Sequence, residues 1–125
     1  MERQTIQKKL VYDTVCAMCN HPTAQEVFEK LHEEHPTVSR ATVYRVLNVL
    51  AEQGRILKIP VADTADHFDY NTKTHVHYAC RRCGTVGDVE IEAPSLHLPP
   101  ATDGYRLEGY TILYHGLCGE CSQKE

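Results

Sequence analysis

Two cysteine pairs constrain this chain more than any other feature. Cys80 and Cys83 are separated by two residues and followed by Gly84, and Cys118 and Cys121 repeat the spacing near the C-terminus. Two intervening residues let both thiolates of a pair point at one ion, and a glycine after the second cysteine allows a tight, knuckle-like backbone. Together the pairs supply four thiolates, a complete tetrahedral shell for structural Zn2+ with no open position for chemistry. The alternatives are two unrelated thiol pairs or a redox pair, and a redox pair wants a βαβ context that is absent here. A zinc site of this kind pins the last strand back onto the hairpin before it and supplies much of a small domain's stability. In 125 residues there is room for one domain or two very small ones, so such a staple matters.

The surroundings favour metal over disulfide. No run of about 18 apolar residues exists, so no membrane span is expected. The opening "MERQTIQKKL" lacks the apolar run of a signal peptide. The cytoplasm is therefore the expected compartment, where paired cysteines serve metals more often than cross-links. The net charge of −4 argues at first against a nucleic-acid partner, but residues 1–60 carry 8 Lys and Arg against 7 Asp and Glu, and residues 61–125 carry 5 against 10. The acidic excess lies with the metal-ligand candidates, and the bases of the N-terminal half can gather on one face.

Periodicity predicts a helix over 5–18, with Ile6, Leu10, Val11, Val15 and Met18 near helical spacing. Thr23 and Glu26 form the capping box of a second helix whose stripe is Val27, Phe28 and Leu31. Ser39 is the N-cap candidate of a third, in which Val43, Val46, Leu47 and Leu50 face inward and which Gly54 stops. "RILKIP" and "HFDYN" are short strand candidates. Three helices and a hairpin make a winged helix-turn-helix pattern, whose third helix enters the DNA major groove. On pattern alone the same helix also reads as a core helix with a solvated face. Beyond Thr74 the texture changes: "HVHYAC", "TVGDVEI" and "YRLEGYTILYHGLC" read as strands of a second small domain that begins near residue 71. Cys16 and Cys19, at the end of the first helix with no glycine after them, read as packing residues rather than ligands.

In a strand, residues two apart share a side, so His75 and His77 present their imidazoles together while Cys80 has the opposite parity. If the cysteines belong to the sulfur site, the histidines need other partners. Asp69, Asp88 and His21 are the candidates, and three His with two Asp make a mixed nitrogen and oxygen set suited to Fe2+ or Mn2+, with Zn2+ or Co2+ also admissible. Five ligands leave one octahedral position open. His32, His35, His67, His97 and His115 read instead as surface or hydrogen-bonded histidines. A metalloenzyme reading lacks any nucleophile or base beyond the ligands themselves.

The motifs "HPTAQEVF", "SRATVYRVLNVL", "FDY", "HVHYACRRCG" and "CGEC", in this order over almost the whole chain, resemble the ferric uptake regulator (Fur) family of metal-dependent DNA-binding repressors. The resemblance implies an α+β fold, with a winged helix-turn-helix domain over 1–70 followed by a small α/β dimerisation domain carrying the four-cysteine zinc site over 71–125. It implies a homodimer on palindromic operator DNA, and, with no apolar run long enough to span a membrane, no membrane partner is expected. The family's regulatory-metal positions match His21, Asp69, His75, His77 and Asp88. Iron-sensing members tend to have Glu where Asp69 and Asp88 stand, and zinc-sensing members Cys at the place of Asp69, so the chain is most similar to the peroxide-responsive branch. That branch binds Fe2+ or Mn2+, and peroxide acting at bound Fe2+ oxidises a ligand imidazole, here His21 or His75. An iron or zinc uptake regulator is the other reading within the family. Val76 and Leu117 stand where a further site of some iron regulators wants Asp and His. For DNA, the matching positions are Tyr44 and Arg45 on the recognition helix and Arg3 toward the minor groove, with Arg40 as a phosphate contact. The chain departs from the pattern in three places. Relatives usually carry an extra helix ahead of "RQTIQKK", Arg45 is the residue of iron regulators, and "APSLHLPPATDG" with its Pro pair replaces a longer helix of the dimerisation domain.

Overall fold

The computed structural model describes residues 2–73, 75–91 and 103–124, and the chain divides into two compact units, Met1–Lys73 and Thr74–Glu125. In the first, α1 (Glu2–Met18), α2 (Ala24–His32) and α3 (Arg40–Glu52) precede a hairpin of β1 (Leu57–Ile59) and β2 (His67–Asp69). The starts of α2 and α3 have local causes. The Thr23 hydroxyl accepts from the Glu26 amide at 3.2 Å while the Thr23 amide donates to the Glu26 carboxylate at 2.9 Å, the reciprocal capping box. Ser39 caps α3 by accepting from the Thr42 amide at 3.1 Å. The end of α3 is equally specific. Gly54, at φ +73°, donates to Ala51 O, and Arg55 donates to Leu50 O, both at 3.0 Å. This is a Schellman stop, and only glycine adopts its left-handed residue freely.

The three helices and β2 close over one core. Val11, Val15, Val27, Leu31, Val43, Val46, Leu47, Leu50, Ile56 and Phe68 are all buried in it. Burial of each aliphatic side chain contributes roughly 1.5–3 kcal/mol before the entropy cost of ordering it. Ile6 does not join them and is 54% exposed, because α1 reaches the core only from its second half. β1 and β2 pair antiparallel with Leu57 opposite Asp69 and Ile59 opposite His67, the wing of a winged helix-turn-helix.

The second unit is a three-stranded sheet in the order β4-β3-β5, with β3 (Val76–Cys80), β4 (Val86–Val89) and β5 (Ile112–Gly116), followed by the short α4 (Gly119–Gln123). β3 runs antiparallel to β4 and parallel to β5. As the central strand it is nearly continuously buried, the pattern of a strand covered on both faces. The strand expected across 105–111 is not formed: these residues are exposed and β5 begins only at Ile112. Alternation such as Tyr105 and Leu107 makes a strand only where a neighbouring chain completes the ladder. The expectation for 93–104 falls largely on residues outside the described ones. Among the described residues, no helix is long and apolar enough to cross a membrane.

Candidate metal centres

The sulfur site is assembled by the sheet. β3 ends at Cys80, and the chain turns back so that the Gly84 amide donates to Cys80 O at 3.0 Å with Gly84 at φ +80°. Parallel pairing sets Gly116 beside Cys80, and the Arg81 amide donates to Gly116 O at 2.8 Å. This brings Cys118, the N-cap of α4, and Cys121, in its first turn, to the knuckle. One ligand atom from each of the four cysteines lies within 4.8 Å of every other, and Cys83 Sγ and Cys118 Sγ are 3.7 Å apart. A tetrahedral ion with Zn–S bonds of about 2.3 Å requires sulfur–sulfur edges of about 3.8 Å. The four thiols therefore fit Zn2+, which closes the shell and leaves no position for a substrate.

The thiols are tuned in opposite directions. Backbone amides of Cys83 and then Cys118, directed at Cys80 Sγ, hold that thiol down at about 5. The Thr85 hydroxyl, 3.2 Å from Cys83 Sγ, lowers Cys83 as well. Burial, followed by hydrogen bonding of its protonated thiol with Cys118 and Cys80, pushes Cys121 up to about 12. An apposition of four thiols in which some want to ionise and another resists it is relieved by a dication.

The nitrogen and oxygen ligands fall in two sets. In the second unit, His77 on β3 is the direct cross-strand partner of Asp88 on β4. Asp88 Oδ1 lies 3.5 Å from His77 Nε2 and 3.1 Å from His75 Nε2. The two imidazoles sit on one side of the strand with ring centroids 4.1 Å apart, as their spacing predicts. In the first unit, His21 Nε2 lies 3.2 Å from Asp69 Oδ2, and both side chains are about nine-tenths buried or more. The second carboxylate oxygen, Oδ1, accepts the Asn71 amide at 3.0 Å, which fixes the carboxylate's orientation. Adjacent ligands of an octahedral ion with bonds of about 2.1 Å stand about 3.0 Å apart, so each set has the spacing of neighbouring ligands. His21 itself is left-handed at φ +55°, a conformation that costs a non-glycine residue roughly 1–3 kcal/mol. No sequence pattern announces it.

On the winged helix, Tyr44 and Arg45 are exposed on α3 and Arg40 is exposed at its start. The Tyr44 hydroxyl donates to Gln25 at 3.5 Å, and the Arg40 guanidinium lies 5.2 Å over the Phe28 ring. Arg3 belongs to α1, and its side chain lies outside the described residues. The packing expectation for the third cysteine pair fails at Cys19, which is exposed with its thiol donating to Cys16 O at 3.1 Å. Helix α1 ends at Met18 and Cys19 turns left-handed at φ +50°, which carries the side chain off the buried stripe. Cys16 is half-buried, and its hydrogen bond raises the Tyr12 phenol. His67 is half-buried and bonded to the His21 carbonyl, and His97 lies outside the described residues.

Comparison with known proteins adds independent findings. The chain matches the ferric uptake regulator family over residues 2–122. It is 30% identical over 129 residues to the peroxide operon regulator of Bacillus subtilis, covering 98% of this chain and 86% of that one. Its fold is similar to the crystal structure of the Campylobacter jejuni peroxide stress regulator (TM-score 0.72, 24% identity, 95% of this chain and 91% of that one). It is also similar to a zinc uptake regulator solved with zinc and DNA (TM-score 0.62, 22% identity, 94% and 82%).

Proposed function

Because the chain belongs to the ferric uptake regulator family, whose members are transcription regulators, we propose that it is a repressor that binds palindromic operator DNA as a homodimer and senses peroxide. Cys80, Cys83, Cys118 and Cys121 hold the structural Zn2+. His21, Asp69, His75, His77 and Asp88 hold one regulatory Fe2+ or Mn2+. The observation that carries this reading is the pairing of aspartates, not glutamates, with imidazoles at 3.1–3.2 Å in both ligand sets. Neither set is a full shell alone, two ligands in one and three in the other, and together they make the five that suit Fe2+ or Mn2+. The Bacillus subtilis relative, named for peroxide, supports the same reading.

The chain's own groups do the following work. Asp69 and Asp88 orient imidazoles and offset the charge of a dication. A dication held by both sets would stabilise the state in which both are engaged, and in this reading that state is the one with affinity for DNA. Fe2+ held by these residues would supply the reducing electrons that convert peroxide into an oxidant. His21 and His75 are the imidazoles that take up oxygen, and an oxidised ring is a weaker base and a poorer ligand. Tyr44 meets a thymine methyl, Arg45 a guanine or phosphate, Arg40 the backbone, and Arg3 reaches toward the minor groove. The zinc uptake regulator solved with DNA supports a DNA partner.

The test uses the zinc-loaded chain and a duplex selected from random sequence. With Fe2+, peroxide is expected to release the duplex and add one oxygen to a peptide carrying His21 or His75, as read by mass spectrometry. With Mn2+, the duplex should stay bound. Retention with Fe2+ and unmodified histidines would sink peroxide sensing and leave an iron uptake regulator, a reading that Arg45, exposed on α3, favours.

A further inference from the structure

We propose that His67 is a positioning residue that holds the His21 backbone in its left-handed conformation and so aims the His21 imidazole. It acts through His21 and is not itself a ligand. The consequence for an ion rests on the reading that His21 is a regulatory ligand.

The observations lie within the first unit. His21 has φ +55° and precedes Pro22. A residue before proline is normally extended, and a left-handed histidine is uncommon, so this conformation persists only where its surroundings hold it. β2 supplies the hold. The His67 ring lies with Nδ1 2.7 Å from the His21 carbonyl oxygen. The partner is an acceptor, so Nδ1 carries the proton and donates. One residue on, the Phe68 amide donates to Pro22 O at 2.8 Å, and His67 also forms an isolated antiparallel bridge with Thr23.

Asp69, two residues beyond His67 on the same strand, meets the other end of His21, with Oδ2 3.2 Å from Nε2. β2 therefore grips His21 twice, at its carbonyl through His67 and at its imidazole through Asp69. A residue held at its backbone by one partner and at its ring by another has the direction of that ring set before any ion arrives. Partners of this kind, one step removed from a metal, change affinity by roughly 10–100-fold when deleted. Nothing in the sequence spacing distinguishes His67 from the other histidines outside the ligand set.

The variants are His67→Phe, which keeps a ring and loses the donor, and His67→Gln, which keeps a donor. In the zinc-loaded full chain titrated with Mn2+ alone, His67→Phe is expected to lose affinity by about tenfold or more and His67→Gln to recover most of it. Without Mn2+, nuclear magnetic resonance should show His67 protonated on Nδ1, and the HN–Hα coupling and carbon shifts of His21 should leave their left-handed values in His67→Phe but not in His67→Gln. Unchanged His21 signals in His67→Phe overturn the proposal, as does wild-type Mn2+ affinity in that variant when His21→Ala loses Mn2+. If His21→Ala keeps wild-type affinity, the ion-site reading falls, and the His21 signals alone decide whether His67 holds the backbone. Should His67→Phe fail to fold, a wild-type His67 protonated on Nε2 is the overturning result.

Discussion

Cys80 and Cys121 show how far one side chain's chemistry depends on its setting. Amides directed at Cys80 Sγ stabilise a thiolate, whereas burial among other thiols keeps the Cys121 proton in place. At neutral pH the metal-free site thus holds Cys80 ionised and Cys121 protonated. Zn2+ must displace the Cys121 proton to complete its shell, so proton release accompanies binding and affinity rises with pH. Competition with a chromophoric chelator should show zinc affinity climbing steadily from about pH 6 to about pH 8, and a flat profile would contradict the assignment. At this scale the sulfur site was legible in the sequence because Cys-x-x-Cys-Gly encodes a local turn. The left-handed His21 was not, because its φ is held by a strand 46 residues away in the chain, and no local pattern reports such a bond.

Elements were read best where their signals are local. Thr23 with Glu26, Ser39 and Gly54 mark helix ends through bonds made within a few residues, and each does so in the structure. Thr23→Ala should cost about 1 kcal/mol by removing the cap of α2, measured by urea denaturation of the zinc-loaded protein. The expectation fails over 105–111, where alternation is present but no ladder forms among the described residues, since a strand is a property of two segments. In the second unit, Gly87 on β4 lies opposite Tyr78 on β3, and a Cβ at Gly87 would stand 2.8 Å from the tyrosine ring. Gly87→Ala should therefore destabilise the second unit by about 1–3 kcal/mol. Adding Tyr78→Ala, which opens that space, should make the glycine substitution nearly neutral in the double-mutant cycle. An equal cost in both backgrounds would show that the ring does not enforce the glycine.

Across the whole molecule the two units differ in what holds them. The first has its own apolar core. The second buries Val76, Ala79, Val86 and two of the zinc-site cysteines, Cys80 and Cys121, among its described residues, and a core this small needs its metal. Chelation of zinc should abolish amide-exchange protection in β3, β4 and β5 and leave α1, α2 and α3 protected, as read by hydrogen exchange with mass spectrometry. Simultaneous loss in both units would refute that division of labour. The parallel partnership of β3 and β5 also imposes a timetable. The core of the first unit closes among residues 11–68 without a metal, whereas the knuckle of the second closes only once Cys118, 35 residues beyond Cys83, has joined it. Domains fold as units, the N-terminal one first as the chain is made. During synthesis the first unit is therefore complete before Cys118 is available, and β3, which bears His77, is locked last. A freshly made molecule passes through an interval in which the first unit is built and the zinc-locked sheet is not.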